Sequence, residues 1–300
     1  MSIIITGASG QFGRMAAQRL LTQVDPRQVI LITRTPDSLA EFAAQGAQVR
    51  YGNFDEADSL REAFASGERM LLISTLDIGK NRQRQHRTAI DAAVAAGVKH
   101  IVYTSTVGIH PKLPALSGAD HFVTEEMLRN ASVDFTIMRN SQYAEVVATM
   151  IAPMGIAMGN LTMAAGDGCM AFISKQDCVE AAVSVLTSPG HEGAVYEITG
   201  PELLNFADVA ALATELSGKP VEYIVVNDEE RLAIFDAAGI PREFEEGMVG
   251  WASTEMVSYE RSLREHFFAV LSHHFKMVTG HHPRSLRDVF LENKAAWENA

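Results

Sequence analysis

The sequence predicts an α/β protein with a doubly wound parallel sheet and a smaller region interleaved with it. Three observations carry this prediction. Short apolar runs alternate with helical patterns up to Arg139, which is the order that buries a parallel sheet between two layers of helices. Three glycines, Gly7, Gly10 and Gly13, stand directly behind the first apolar run, Ile3-Ile4-Ile5. After Arg139 the rhythm changes, yet the run Val195–Thr199, followed by Gly200-Pro201, reads as one more strand able to return to the main sheet.

In chain order, strands are expected at Ser2–Thr6, Val29–Thr33, Gln48–Tyr51, Arg69–Ile73, His100–Thr104 and Asp134–Met138. Helices are expected between them at Phe12–Leu21, Ser38–Gln45, Asp58–Ala65, Gln83–Ala96 and Phe122–Asn130, the fourth stopped by Gly97. Beyond them come a helix at Tyr143–Ala152, a Met-rich loop and a helix at Lys175–Thr187 starting near Ser174. A strand at Val195–Thr199, a helix at Phe206–Ser217, a strand at Val221–Val226 and further helices complete the chain. The expected division is residues 1–139 for a nucleotide-binding domain and 140–300 for a substrate-binding α/β region partly returning to the main sheet.

Composition narrows the function. A net charge of −12 argues against nucleic acid or an anionic membrane as partner. Cys169 and Cys178 have no metal-ligand or redox spacing, and Gly7 interrupts the N-terminal apolar run before it resembles a signal peptide, so a reduced, cytoplasmic setting is expected. The segment Val146–Gly166 carries no charge over 21 residues. Pro153, Gly155, Gly159, Asn160 and Thr162 argue against a membrane span, leaving core packing or the lining of an apolar pocket. The paired histidines His273-His274 and His281-His282 lack a metal-binding pattern, and no metal is expected. Asp228-Glu229-Glu230 and Glu243–Glu246 read as solvated helix faces.

The chemistry concentrates in Thr6-Gly7-Ala8-Ser9-Gly10-Gln11-Phe12-Gly13. A glycine triplet between a first strand and a first helix is the signature of a Rossmann-type dinucleotide site. Gly7 permits the tight turn, Gly10 admits the pyrophosphate to backbone N–H groups, and Gly13 lets the helix lie close to the sheet. The second strand ends Leu31-Ile32-Thr33-Arg34-Thr35, with no acid before Asp37 to bond a ribose 2′-hydroxyl. Arg34 suits a 2′-phosphate instead, so NADPH is expected over NADH. Asn53 and Asp55 after the third strand, and Ser74, Thr75 and Leu76 after the fourth, are either cofactor contacts or ordinary loop and cap residues. Thr104 and Ser105 at the end of the fifth strand complete the candidate cofactor set.

Several segments together resemble the NmrA-like branch of the atypical short-chain dehydrogenase/reductases. They are ITGASGQFG, LITR, QHRTAIDAAVAAGVKHIVYTS, DHFVTEEMLRNASVDFTIMRNSQYAE, AAGDGCMAFISKQDCVEAAVSVL and TGHHPRSLRDVF. Within that branch the chain is most similar to bacterial NADPH quinone oxidoreductases and triphenylmethane reductases. One departure from the main-line enzymes matters: none of Tyr51, Tyr103, Tyr143, Tyr196, Tyr223 or Tyr259 has a lysine four residues on, which demotes ordinary alcohol dehydrogenase chemistry.

The resemblance implies hydride transfer from NADPH to a quinone or related conjugated molecule, a small apolar or aromatic substrate that needs no strong catalytic acid. It also leaves open an NAD(P)H-sensing regulator, a reductase of carbonyl, ether or imine substrates, and a homodimer. His121 aligns with a lysine implicated in proton transfer in plant isoflavone-reductase relatives; it is read either as a proton donor or as a polar helix-start residue beside an N-cap Asp120. Tyr143, leaving the sixth strand, is read either as stacking on or bonding the acceptor, or as core. Lys175 could approach a substrate, although a lysine near a helix start is ordinarily solvent-exposed.

Overall fold

The computed structural model describes residues 1–244 and 252–297. Seven parallel strands form the main sheet: β1 (Ile3–Ile5), β2 (Val29–Thr33), β3 (Gln48–Tyr51), β4 (Arg69–Leu72), β5 (His100–Thr106), β6 (Asp134–Asn140) and, last in the sheet, a strand from the second half at Val195–Ile198. Their order is β3-β2-β1-β4-β5-β6 and then this strand, so the direction of winding reverses between β1 and β4. A crevice at the strand carboxyl ends is expected there. Ile3, Ile4 and Ile5 are all fully buried. Helices cover both faces of this central strand, which is why it reads as a continuous apolar run rather than an alternating one.

On one face lies α1 (Gln11–Leu21); α2 (Ala40–Ala44) follows β2 through a 3₁₀ turn at Pro36–Leu39. The other face carries α3 (Ala57–Ala63), α4 (Lys80–Ala95) and α5 (Leu116–Arg129). Two helices are longer at their N-termini than expected, because their first turns are not apolar. α4 buries Arg82, Gln85 and His86 before its alanine-rich face begins, and α5 buries Gly118, Asp120 and His121. Asp120 is therefore inside α5, not its N-cap; its carboxylate accepts from Gly79 N–H (2.6 Å) and the Gln83 amide (2.7 Å).

The second half starts with α6 (Ala144–Val146), which passes through a π turn (Val147–Ile151) into α7 (Ala152–Met158). Pro153 has no N–H for the helical ladder, which accounts for the widened turn. The expected Met-rich loop is thus largely helix. Met150, Met154 and Met158 lie on its exposed side, while Val147, Ala148, Ala152 and Ile156 pack inward. These three methionines therefore neither fill the core nor line a closed pocket. Among the described residues no helix is long and apolar enough to cross a membrane.

β7 (Asn160–Met163), β8 (Cys169–Met170), α8 (Lys175–Thr187), β9 (Val195–Ile198), β10 (Leu204–Asn205), α9 (Phe206–Ser217) and β11 (Glu222–Val225) follow. β7 pairs with β11 in parallel and β8 with β10 antiparallel, giving two two-stranded sheets apart from the main one. By contrast, β9 pairs with β6, and α8 shares a hydrophobic core with α1. The chain ends with α10 (Asp228–Ala237), α11 (Ser253–Arg264), α12 (His274–Thr279) and α13 (Leu286–Asn293).

The acidic segment at the start of α10 is only partly a solvated face. Asp228 is half-buried between Arg261 and Arg264 of α11, and Glu230 completes a capping box with Asn227. Glu243 is exposed, whereas Glu245 and Glu246 lie outside the described residues.

The main sheet is locked to α5 by a buried carboxylate. Glu125 is fully buried and accepts from Arg139 on β6 (2.6 and 2.9 Å), Arg129 (2.9 Å) and the Ser105 hydroxyl (2.7 Å). Burial works to raise its pKa, but Arg139 and Ser105 outweigh that and hold it below the ordinary glutamate value. The resulting stabilisation is present above the unfolded-state pKa of about 4.3 and is lost as pH falls through the lower folded-state value. Glu125→Gln is expected to cost about 2 kcal/mol at pH 7, because Arg139 and Arg129 lose their shared carboxylate while Arg139 keeps only Glu197 (3.0 Å). The difference from wild type should shrink in acid. Urea unfolding at neutral and acidic pH checks both statements.

Candidate active site

Above β1 and β4, the glycine loop, the β4–α4 loop and the start of α8 approach one another. Thr6 ends β1, with its Oγ1 donating to Leu71 C=O (3.1 Å) and accepting from Ile73 N–H (3.0 Å). Its side chain therefore ties β1 to β4. Gly7 has φ of +59°, which favours glycine, and turns the chain toward α1.

At Gly13 an added Cβ would lie 2.4 Å from the Gly7 carbonyl oxygen and 2.7 Å from Ala8 Cα. Gly13 thus lets α1 pack against its own loop; the nearest obstruction is that loop and not a strand of the sheet. Ser9 Oγ accepts from Thr33 Oγ1 (2.9 Å). Arg14 donates to Ser9 C=O (3.2 Å), to Ser38 C=O and to Glu41, clamping the loop to the segment after β2. The sequence reading missed Arg14 because a lone arginine in a second helical turn carries no motif.

The residues present fit a dinucleotide. The N-terminus of α1 has neither a side-chain cap nor an acidic residue in its first turn, so its N–H groups remain available to an anion. Gln11 is exposed there, whereas the Phe12 side chain is buried in the core and leaves only its backbone for a ligand. Arg34, at the end of β2, is exposed and makes no hydrogen bond or ion pair among the described residues. Among the buried polar atoms without partners are Thr75 Oγ1, beyond the carboxyl end of β4, and both polar atoms of the Asn140 amide and Ser141 Oγ, at the carboxyl end of β6. Such groups are costly unless something else bonds them.

Other candidates are occupied by the fold. Asn53 bonds Glu56 (3.0 Å) and Asp55 N–H (3.1 Å) within its own turn, and Asp55 accepts from Arg84 (2.6 Å). Both do loop duty. Thr104 Oγ1 accepts from Ser74 N–H (2.9 Å), and Ser105 is held by Glu125. Ser74 and Thr104 thus fasten the end of β4 to that of β5. Leu76 is 94% exposed on the same loop, an apolar side chain left for a ligand to cover.

A buried polar seam supports that loop. His86 Nε2 accepts from Thr75 N–H (3.1 Å), which places its proton on Nδ1, toward Thr124 Oγ1 (2.9 Å). Burial and the Arg82 charge push its pKa down to about 3, so it stays neutral. His121 lies in the same seam, with Nδ1 2.7 Å from the Tyr103 hydroxyl and Nε2 3.5 Å from Arg82. Arg82 can only donate, so Nε2 accepts and Nδ1 carries the proton toward Tyr103. Burial drives the His121 pKa well below 6.5. The His121 imidazole is thus neutral, with both nitrogens bonded to Tyr103 and Arg82 within the fold.

Tyr143 stands half-buried at the N-cap of α6, its ring centroid 6.3 Å from that of Phe12. Burial raises its phenol pKa well above the ordinary value. Lys175 is not the solvent-exposed lysine that its helix position suggests. It is half-buried, its Nζ lies 5.2 Å from the centre of the Tyr143 ring, and it donates to Gln11 Oε1. Away from this crevice, Asp177 is committed to Arg284 (2.9 and 3.2 Å). Likewise His274 Nδ1 accepts from Glu197 N–H (3.0 Å), and His281 Nε2 sits 3.1 Å from Glu180.

A family model described as NAD(P)H-binding matches residues 7–189. Quinone oxidoreductase 2 of Escherichia coli is 38% identical over 240 residues, covering 80% of this chain and 82% of the relative. The crystal structure of NADPH-dependent quinone oxidoreductase from Escherichia coli complexed with NADPH superposes with a TM-score of 0.89 at 32% identity, covering 97% of this chain and 99% of that one. Triphenylmethane reductase of Citrobacter sp. complexed with NADP(H) gives a TM-score of 0.87 at 27% identity, over 98% of this chain and all (100%) of that one.

The two later glycines separate binding from folding. Gly10→Ala, whose Cβ would meet only the Gly7 oxygen at 3.3 Å, should keep a near-wild-type melting temperature while weakening NADPH binding. Gly13→Ala forces backbone apart and should lose about 1–3 kcal/mol of stability as well as cofactor affinity. Thermal unfolding and fluorescence titration with NADPH distinguish the two outcomes.

Proposed function

The chain belongs to the NAD(P)H-binding family, in its NmrA-like branch, and from that premise we propose that it is an NADPH-dependent reductase transferring hydride to a quinone or a related conjugated small molecule. When bound, NADPH supplies the hydride. The glycine loop and the uncapped start of α1 receive its pyrophosphate, and Arg34 receives the 2′-phosphate. Thr75, Asn140 and Ser141 offer their unpartnered polar atoms to the nicotinamide end, and Tyr143 and Leu76 form the apolar approach for a flat acceptor.

One observation carries the acceptor class: His121, one of the two candidate proton donors, has both ring nitrogens bonded inward to Tyr103 and Arg82, and the Tyr143 phenol is a weak acid. Burial keeps His121 neutral and directed inward, and the Tyr143 phenol stays protonated. A ketone needs a proton delivered to its oxygen as hydride arrives, whereas a quinone or a cationic dye spreads the incoming charge over its own conjugated system. The latter can take its proton from water afterwards. Similarity to quinone oxidoreductase and triphenylmethane reductase supports the same choice.

The test follows NADPH absorbance with quinones, a triphenylmethane dye and simple ketones. Oxidation by quinones or dye with ketones inert is the expected result; tight NADPH binding with every acceptor inert would indicate a nucleotide-sensing role instead. Arg34→Ala should weaken NADPH binding by about tenfold to a hundredfold and leave NADH unchanged, the loss of a charge-assisted bond. Turnover should also stay level from about pH 6 to 9, with no step at the ordinary histidine pKa.

A further inference from the structure

Lys175 is a half-buried cation whose partner is a neutral side chain. Ser174 caps α8, and Glu145 accepts from both the Ser174 hydroxyl (3.0 Å) and Lys175 N–H (2.9 and 3.0 Å). The first turn of α8 is therefore fixed, and its N-terminus is already satisfied from within. The Lys175 side chain runs from this anchor across the face of Tyr143 and ends on Gln11, the first residue of α1.

Among the described residues no carboxylate lies within ion-pair distance of its Nζ. A chain of net charge −12 has thus placed an ammonium group beside the one helix start that follows the glycine loop, with only a carboxamide to receive it. Burial outweighs the pull of the Glu145 carboxylate, disfavours the charged amine and lowers its pKa. An anion arriving at α1 would offset that cost, and Gln11, being exposed, is free to give way.

Resting on the NADPH-dependent reading above, we propose that Lys175 exchanges Gln11 for a pyrophosphate oxygen of NADPH, so that α8 clamps the cofactor against the N-terminus of α1. The cofactor is then held by both halves of the chain. The glycine loop, Arg34, Thr75 and Leu76 come from residues before 139, while Lys175 and the Tyr143 ring come from residues after 140. The sequence carries no sign of this contact, because Gln11 and Lys175 become neighbours only when α8 packs on α1.

Equilibrium titrations of wild type, Lys175→Gln and Lys175→Arg with NADPH, at about 50 and about 300 mM salt, test the assignment. Adenosine 2′-monophosphate serves as a probe that lacks the pyrophosphate. Lys175→Gln should weaken NADPH binding about tenfold and flatten its salt dependence, leave adenosine 2′-monophosphate binding unchanged, and keep the wild-type melting temperature. Lys175→Arg should recover most of the affinity. An unchanged NADPH affinity and salt dependence in Lys175→Gln would overturn the clamp alone. So would a fall in kcat at saturating NADPH with binding intact, since the amine would then act on the acceptor. Failure of the wild type to bind NADPH would remove the proposed function and the clamp together.

Discussion

The constraint on which the crevice depends is the contact of α1 with its own entry loop. Gly13 brings the helix so near the Gly7 carbonyl and Ala8 that no side chain fits between them. That approach turns the first N–H groups of α1 toward the crevice over β1 and β4, where the sheet reverses its winding. Thr6, Ser9 and Arg14 then tie the loop to β4, to β2 and to the segment after β2. Because each bond uses a different neighbour, the loop is held from three sides and is preorganised before any ligand arrives.

A second structural theme is the polar seam between β5, α4 and α5. Arg82, His86, Asp120, His121 and Thr124 are all buried, yet they bond one another, Tyr103, and the backbone at Asp77, Thr75 and Gly79. Polar groups removed from water in this way are tolerated only when they are paired, and their directional bonds specify one loop position where an apolar contact would permit several. The seam therefore acts on the site indirectly, by fixing the loop that presents Thr75 and Leu76. It also explains why two histidines so close to the crevice stay neutral: burial and Arg82 both work against protonation.

The second half of the chain is not simply appended to the first. β9 completes the main sheet, and α8 and α12 join the core beside it through residues such as Val183 and Phe275, while β7, β8, β11, α11 and α13 contribute to a second core. Arg284, just before α13, bonds Asp177 and Ser174 at the start of α8, so the terminal helices brace the same helix that carries Lys175 toward the crevice. α8 and β9, although they follow residue 139, share the core of the main sheet.

Local pattern was enough to identify the main strands, the glycine loop and the dinucleotide class, because a buried strand, a tight turn and an uncapped helix start each demand particular residues within a short span. The Arg34 position was legible for the same reason: it is fixed by distance from the end of β2. The starts of α4 and α5 were not, since their first turns bury charged and polar groups that no apolar periodicity marks. Nor could the sequence separate His121 as proton donor from His121 as support, or bring Lys175 to Gln11. Those outcomes depend on which side chains meet across elements distant in the chain. The sequence by itself determined the cradle, because its geometry is local; only the tertiary structure decided which charged and polar residues face it, because pairing and burial are properties of the packed whole.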